Sequence, residues 1–240
     1  MSKTVNVFGK NAIREVLKGE RKVKQIFFCD SLNDSEIIDI AKKKRIPLIS
    51  KNKKQFVSEF GEKTGGIVAI VEDYQYIEID DLILKNKDKE DVVFLILDGL
   101  EDPHNLGAIL RSVDATGCNG VIIPKNRSVK LNETVVKVST GAIEHVDVSM
   151  VTNLNQTIEE LKQNGYWIYG LELTGTNDYK DVNYKGKIAI VVGSEGRGIS
   201  QLVQRNCDVL IKIPMYGKVN SLNASVSAGI ILYEAIRHRG

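Results

Sequence analysis

At 240 residues, with 42% hydrophobic and 27% charged content, the chain has the composition of a folded globular protein able to bury one large core or two small ones. Its longest apolar runs, VVFLILDGL and KIAIVVG, are too short to span a bilayer, and MSKTVNVFGK lacks a signal peptide's apolar stretch, so a cytoplasmic protein off the membrane is expected. The net charge of +2 hides an asymmetry: residues 1–72 carry 15 Lys+Arg against 9 Asp+Glu, and residues 73–240 carry 18 against 22.

A basic lobe followed by a mildly acidic one is compatible with nucleic acid on the first, although runs such as AKKKR and SKNKK are equally ordinary as solvated helix faces. Within that lobe VKQIFFC (23–29), IPLIS (46–50) and GGIVAIVE (65–72) read as strands, with SEIIDIAKKK (35–44) and NKKQFVSEF (52–60) as helices between them. The alternation predicts a small α/β domain over residues 1–72. Residues 73–90 lose the pattern and end in mixed charge, which predicts a linker.

From residue 91 to 240 near-continuous apolar strands recur: VVFLILDG (92–99), GVIIP (120–124), VDVSM (146–150), YWIYGLEL (166–173), IAIVVG (188–193) and VLIKIP (209–214). Strands apolar on both faces belong to a parallel sheet covered by helices, so the predicted class is α/β with a parallel sheet. Ligands of such sheets bind at the carboxyl ends of strands. Cys29, Cys118 and Cys207 form no CxxC pair and read as small buried hydrophobes, with no metal site implied.

Three loops at such strand ends carry polar groups. In LDGLEDPHNLGAILRSVDATG (97–117), Pro103 excludes a strand and Asn105 is placed to cap a helix that carries Arg111 further along; a cap and a surface cation would explain both residues without chemistry. VVGSEGRGIS (191–200) offers backbone N–H groups free of Cβ atoms, yet it lacks the Lys-Ser/Thr of a P-loop and the order of a dinucleotide fingerprint. It projects Glu195 from a tight turn. In IPMYGKVNSLNASVSAGIILYEAI (213–236), Asn220 or Ser221 is predicted to cap the last helix, which leaves the remaining small polar residues, Asn223 among them, unexplained.

Together DPHNLGAILRS (102–112), IAIVVGSEGRGIS (188–200) and IPMYGKVNSLNASVSAGIILYE (213–234) resemble, in order and spacing, the three motifs of the SpoU (TrmH/RlmB-type) RNA ribose 2′-O-methyltransferases of the SPOUT superfamily. The basic lobe, with its VFGKNAIREVL opening (7–17), is similar to the substrate-binding domain of the RlmB-type branch, whose members methylate guanosine in 23S rRNA. Thr64-Gly65-Gly66 stands where that family usually has His-Gln-Gly. The resemblance implies a deep trefoil knot around residues 193–223, a homodimer, and S-adenosylmethionine bound against the backbone of Leu171, Gly193, Ile213 and Leu222. It also implies that Asn105, Arg111, Glu195, Ser221 and Asn223 form the catalytic set, and that no metal takes part.

Methyl transfer to a ribose hydroxyl needs aligned reactants and a route for one proton. Family accounts make the arginine the general base, but a guanidinium stays protonated and offers five donors and no acceptor. The chemistry favours Arg111 as the group that fixes a phosphate and stabilises the developing alkoxide, the proton passing to phosphate or water, with Glu195 orienting Arg111 and with Ser221 and Asn223 holding loop and ribose. His104 is a lesser candidate for substrate contact; His145 and His238 read as structural or surface residues. A tRNA ribose methyltransferase and a non-catalytic RNA-binding ribosome-assembly factor are the alternatives. The intact Arg111, Glu195, Ser221 and Asn223 weigh against the second.

Overall fold

The computed structural model describes residues 3–32, 34–237 and 239, and two units emerge in it. One comprises the chain up to Gln75 together with Leu131–His145; the other comprises Tyr76–Lys130 and the chain from Val146 onward. His238 lies outside the described residues.

In the first unit β1 (Thr4–Phe8), α1 (Lys10–Lys18), β2 (Val23–Cys29), α2 (Ser35–Lys43), β3 (Leu48–Lys51), α3 (Lys53–Phe60) and β4 (Ile67–Glu72) follow one another. The sheet runs β1-β4-β2-β3, with β4 antiparallel to both β1 and β2, and β2 parallel to β3 across α2. Side-chain caps set two of the helix starts: Asp34 accepts from Ile37 N, and Asn52 accepts from Gln55 N. Phe27, Cys29, Phe56 and Val68 bury one side of the sheet.

The second unit begins with α4 (Ile79–Lys85), inside the stretch that the sequence suggests is a linker. The short apolar patch there is a helix because Leu82 and Ile83 are buried in the second unit's core beside Phe94, Ile122 and Ile158. Then come β5 (Val92–Asp98), α5 (Pro103–Thr116), β6 (Gly120–Pro124), α6 (Glu133–Ser139), β7 (Val148–Val151), α7 (Leu154–Gln163), β8 (Trp167–Leu171), β9 (Asn177–Asp178), β10 (Lys187–Gly193), α8 (Gln201–Asn206), β11 (Val209–Lys212) and α9 (Ala224–Arg237). All the strands pair in parallel in the order β7-β6-β5-β10-β8-β11-β9. The expected parallel sheet is therefore present, and its apolar strands are its centre: β5 and β10 are buried along nearly their whole length.

Register decides where the loops fall. Gly193 is level with Asp98, Val192 with Leu171, and Ile211 with Leu171, so β5, β8, β10 and β11 end at one edge of the sheet. The loops that follow these strands share that edge.

Helix α6 and a 3₁₀ turn at Ala142–Glu144 pack in the first unit although they lie between strands of the second, with Val135 and Val136 buried on that side. Glu144 anchors the excursion: its carboxylate accepts from Tyr74 Oη at 2.6 Å and from Arg21 Nη1 at 3.0 Å, while the Arg21 guanidinium lies 3.6 Å from the Tyr74 ring centroid. Burial raises the Glu144 carboxyl above its ordinary pKa, opposed by the neighbouring Arg21 charge. His145 faces Glu15 at 2.9 Å, in keeping with a structural histidine. Removing Glu144 would strand a guanidinium that is only 17% exposed, so Glu144→Ala should cost about 3 kcal/mol in a denaturant titration, and Glu144→Gln distinctly less.

Candidate functional site

Five segments meet at the shared edge around a cleft of about 370 Å³. Leu171, Gly193, Ile213 and Leu222, the four positions singled out for cofactor contact, all line it, together with Glu195 and Ser221. Walls of backbone and aliphatic side chain are what the carboxyl ends of parallel strands supply, and the volume suits a ligand of nucleotide size.

The loop after β10 owes its shape to backbone closure. Gly198 N donates to Ser194 O at 3.0 Å, and Gly196 and Gly198 take φ of 79° and 63°, where a side chain would be strained. A Cβ on Gly193 would collide with the Gly198 carbonyl. Two carboxylates pin this loop from beneath: Glu172 accepts from Ile199 N, and Asp98 accepts from Ser200 N at 2.8 Å. Neither acid was expected to contribute. The available signal is an acidic residue at the end of an otherwise apolar strand, in YWIYGLEL and in VVFLILD.

Held in this way, Glu195 gathers donors. Its Oε1 accepts from Asn105 Nδ2 at 3.1 Å, from Asn223 Nδ2, and from Ala224 N at 3.3 Å. Asn223 Nδ2 also donates to Asn105 Oδ1 at 2.9 Å. The three motif loops are thus joined by one hydrogen-bonded cluster of a carboxylate and two amides.

That cluster changes the expected caps. Asp102, whose side chain accepts from His104 N at 2.9 Å, caps α5, with Pro103 in the first turn. Asn105 is thereby moved inside the helix, buried and free to meet Glu195. At α9 the carboxamide oxygen of Asn223 accepts from Ser225 N at 2.9 Å, so Asn223 does the capping in place of Asn220 or Ser221. An Asx side chain can cap and cross-link at once because its oxygen and nitrogen point at different partners.

Arg111 is not among the residues lining the cleft. It sits on an exposed face of α5, and the pair with Glu195 that its chemistry suggested is not formed among the described residues. The six-residue offset from Asn105 explains this, since it turns the two side chains to different faces of the helix. His104 is exposed. Burial pushes the Cys118 and Cys207 thiols up to about 12, as befits small packed groups. Among the described residues no group of three or more His, Cys, Asp or Glu is arranged to hold a metal, and no helix is long and apolar enough to cross a membrane.

A parallel α/β sheet with its cleft built at the ends of β8, β10 and β11 is the architecture that the SPOUT resemblance implies, and comparison with known proteins tests it. The model of the SpoU rRNA methylase family matches residues 92–233, and that of the RNA 2′-O ribose methyltransferase substrate-binding domain matches residues 6–77. The Bacillus subtilis protein YacO, assigned to the TrmH family of tRNA/rRNA methyltransferases, is 45% identical over 97% of this chain and 95% of its own. Two solved structures share the fold at 24% identity: the SpoU methyltransferase AviRb from Streptomyces viridochromogenes in complex with AdoMet, at a TM-score of 0.85 over 98% of this chain and 90% of that one, and an AdoMet-bound rRNA methyltransferase from Sinorhizobium meliloti, at 0.84 over 98% and 87%. The chain belongs to the SpoU (TrmH-type) RNA methyltransferases, whose cofactor is S-adenosylmethionine.

The loop contact gives a direct test of the cleft. Gly193→Ala should destabilise the protein by about 1–3 kcal/mol in thermal denaturation, because backbone cannot yield as a side chain can. Gly217→Ala, where a Cβ would meet open space, should stay within about 0.5 kcal/mol of the parent.

Proposed function

We propose that this protein methylates a ribose 2′-hydroxyl of a structured RNA, and that the RNA is large-subunit ribosomal RNA with a guanosine as target. The observation that carries the reading is the Asn105–Glu195–Asn223 cluster at the rim of the cleft, which unites the three motif loops. A fold-only role would not need a carboxylate satisfied by two amides beside a ligand-sized cleft. The basic first unit, matched by a substrate-binding model, favours a folded RNA partner over a small substrate.

In this reading Leu171, Gly193, Ile213 and Leu222 hold S-adenosylmethionine by backbone and apolar contact, which fits a cleft whose walls include glycine backbone too tightly packed for a Cβ. Bound there, the cofactor supplies an electrophilic methyl group on a sulfonium. Asn105, Glu195 and Asn223 fix the geometry of the cleft wall, and Ser221, exposed on that wall, is free to meet the ribose. Arg111, permanently cationic, binds the target phosphate and stabilises the developing alkoxide, while the proton leaves to phosphate or water. Its exposure, and the absence of a partner for it among the described residues, support a role completed only when RNA is bound. The trefoil threading around residues 193–223 belongs to the same proposal, supported by the close backbone packing of Gly193 on Gly198 and of Gly175 on Ile211.

Mapping 2′-O-methyl groups in ribosomal and transfer RNA, with and without the protein, tests the substrate. A mark lost from 23S rRNA is expected; a lost tRNA mark would move the assignment to tRNA, and binding without any transfer would leave an assembly factor. Arg111→Ala should lower kcat/KM on the order of 10²–10³-fold and Arg111→Lys should fail to restore it, whereas Glu195→Gln should cost less. The reverse order would make Glu195 the base.

The same reading includes a homodimer. A Cβ on Gly229 would meet only Ser112 Oγ, at 3.6 Å, so within one chain there is room at this glycine; the tight packing of α9 falls instead on Ala224 and Ala228, which are buried. Gly229→Leu should shift the sedimentation coefficient from dimer to monomer, with circular dichroism on the same variant checking that the fold is kept. An unchanged dimer would remove α9 from the interface.

A further inference from the structure

The first unit contains a cavity that the methyl-transfer site does not use, and we propose that it holds one unpaired nucleotide of the RNA substrate. This rests on the RNA reading above and adds to it a second, separate point of recognition.

The cavity measures about 310 Å³, at the lower end of the range for ligand pockets and enough for a base with its ribose. Its floor is apolar: Phe56 is 2% exposed and Cys29 is 6% exposed. Its rim carries two cations from separate helices, Lys10 at the start of α1 and Lys53 at the start of α3. Lys10 shares its charge with Asp34 at 3.6 Å, and Lys53 makes no ion pair among the described residues.

Leu32 and Val57 extend the apolar lining, Ser31 and the exposed Glu62 carboxylate stand at the rim, and the rest of the wall is the turn at 61–66. Gly61, Gly65 and Gly66 take φ of 81°, 66° and 75°, and Thr64 Oγ1 donates to Gly61 O at 3.4 Å, holding the turn in place. No atom lies within 4 Å of a Cβ placed on Gly61, and only Gly9 Cα, at 3.8 Å, is near one on Gly65, so space alone does not call for glycine at these two positions. Gly61 N, Gly61 O and Gly66 O are already paired with Val57 O, Thr64 Oγ1 and Cys29 N, and the left-handed turn leaves the peptide groups of Gly65 and the N–H of Gly66 as the edge that no side chain of their own covers.

An apolar floor, a peptide edge and a cationic rim match a nucleotide part by part. The base takes the floor and hydrogen-bonds the edge, and the phosphate meets Lys53. Bases inside an A-form helix cannot enter such a site, so the nucleotide is unpaired. The triplet Thr64-Gly65-Gly66, singled out in the sequence, would then set which base is accepted.

The test uses the full chain labelled with ¹⁵N and titrated with the four nucleoside 5′-monophosphates, ribose 5-phosphate and inorganic phosphate. At least one nucleotide should shift the Gly65 and Gly66 amides saturably in the millimolar range, with ribose 5-phosphate and phosphate giving no such response. Ser31→Trp, which fills the cavity from its exposed rim, should abolish the shifts, leave S-adenosylmethionine affinity unchanged, and raise KM for RNA about fivefold with kcat unchanged. Silence with every nucleotide, an equal response to phosphate alone, or a parental KM in Ser31→Trp would overturn the proposal. Should the parent protein methylate no RNA, the earlier reading falls and the nucleotide titration still decides this one.

Discussion

The contact on which the rest of the catalytic unit depends is backbone against backbone: Gly193, ending the central strand β10, packs on Gly198 and Ile199, five and six residues further along. That contact forces the intervening residues into a closed turn and sends Glu195 toward the starts of α5 and α9. Once the carboxylate is there, Asn105 and Asn223 are fixed, and the helices carrying them start where they do. The cleft is what remains between this turn and the ends of β8 and β11. A glycine that looks like a phosphate-loop ornament in the sequence is therefore a structural keystone.

Much of the second unit was legible because its strands are apolar on both faces, a pattern that solvent-facing elements do not produce. β5, β6, β8 and β10 begin and end within two residues of their apolar runs. What stayed hidden depended on partners distant in sequence. α4 reads as charged linker until Leu82 is seen among β5, β6 and α7 residues. α6 is a weak pattern whose buried valines serve the other unit. The strand TVNVF, with only Val7 fully buried, has little apolar signal of its own.

The candidate site divides in the same way. The three motifs point to candidate residues, and the four positions proposed for cofactor contact all line the cleft. How those residues act on one another could not be read from the motifs. Local sequence suggested Asn105 as a cap, and donor chemistry suggested Glu195 as a partner for Arg111, whereas Asp102 takes the cap and the two amides take the carboxylate. Local preference ranks Asn and Asp as equally good caps, so only the tertiary demand of Glu195 distinguishes them. The outcome separates two electrostatic tasks: a neutral amide clamp from the protein itself satisfies the exposed Glu195 carboxylate, and in the proposed mechanism the guanidinium of Arg111 is kept for an anion that arrives with the substrate.

The excursion of Leu131–His145 into the first unit has a consequence for modularity. The chain passes between the two units three times, near residues 75, 130 and 145, so the substrate-binding part is not an amino-terminal cassette that recombination could exchange at a single joint. A transplanted lobe would arrive without Glu144, the partner of Arg21 and Tyr74, and the donor protein would keep a helix whose valines had lost their cover. Recognition and catalysis are stitched together in the covalent chain, and diversification of the RNA target must proceed by substitution within the lobe rather than by its replacement.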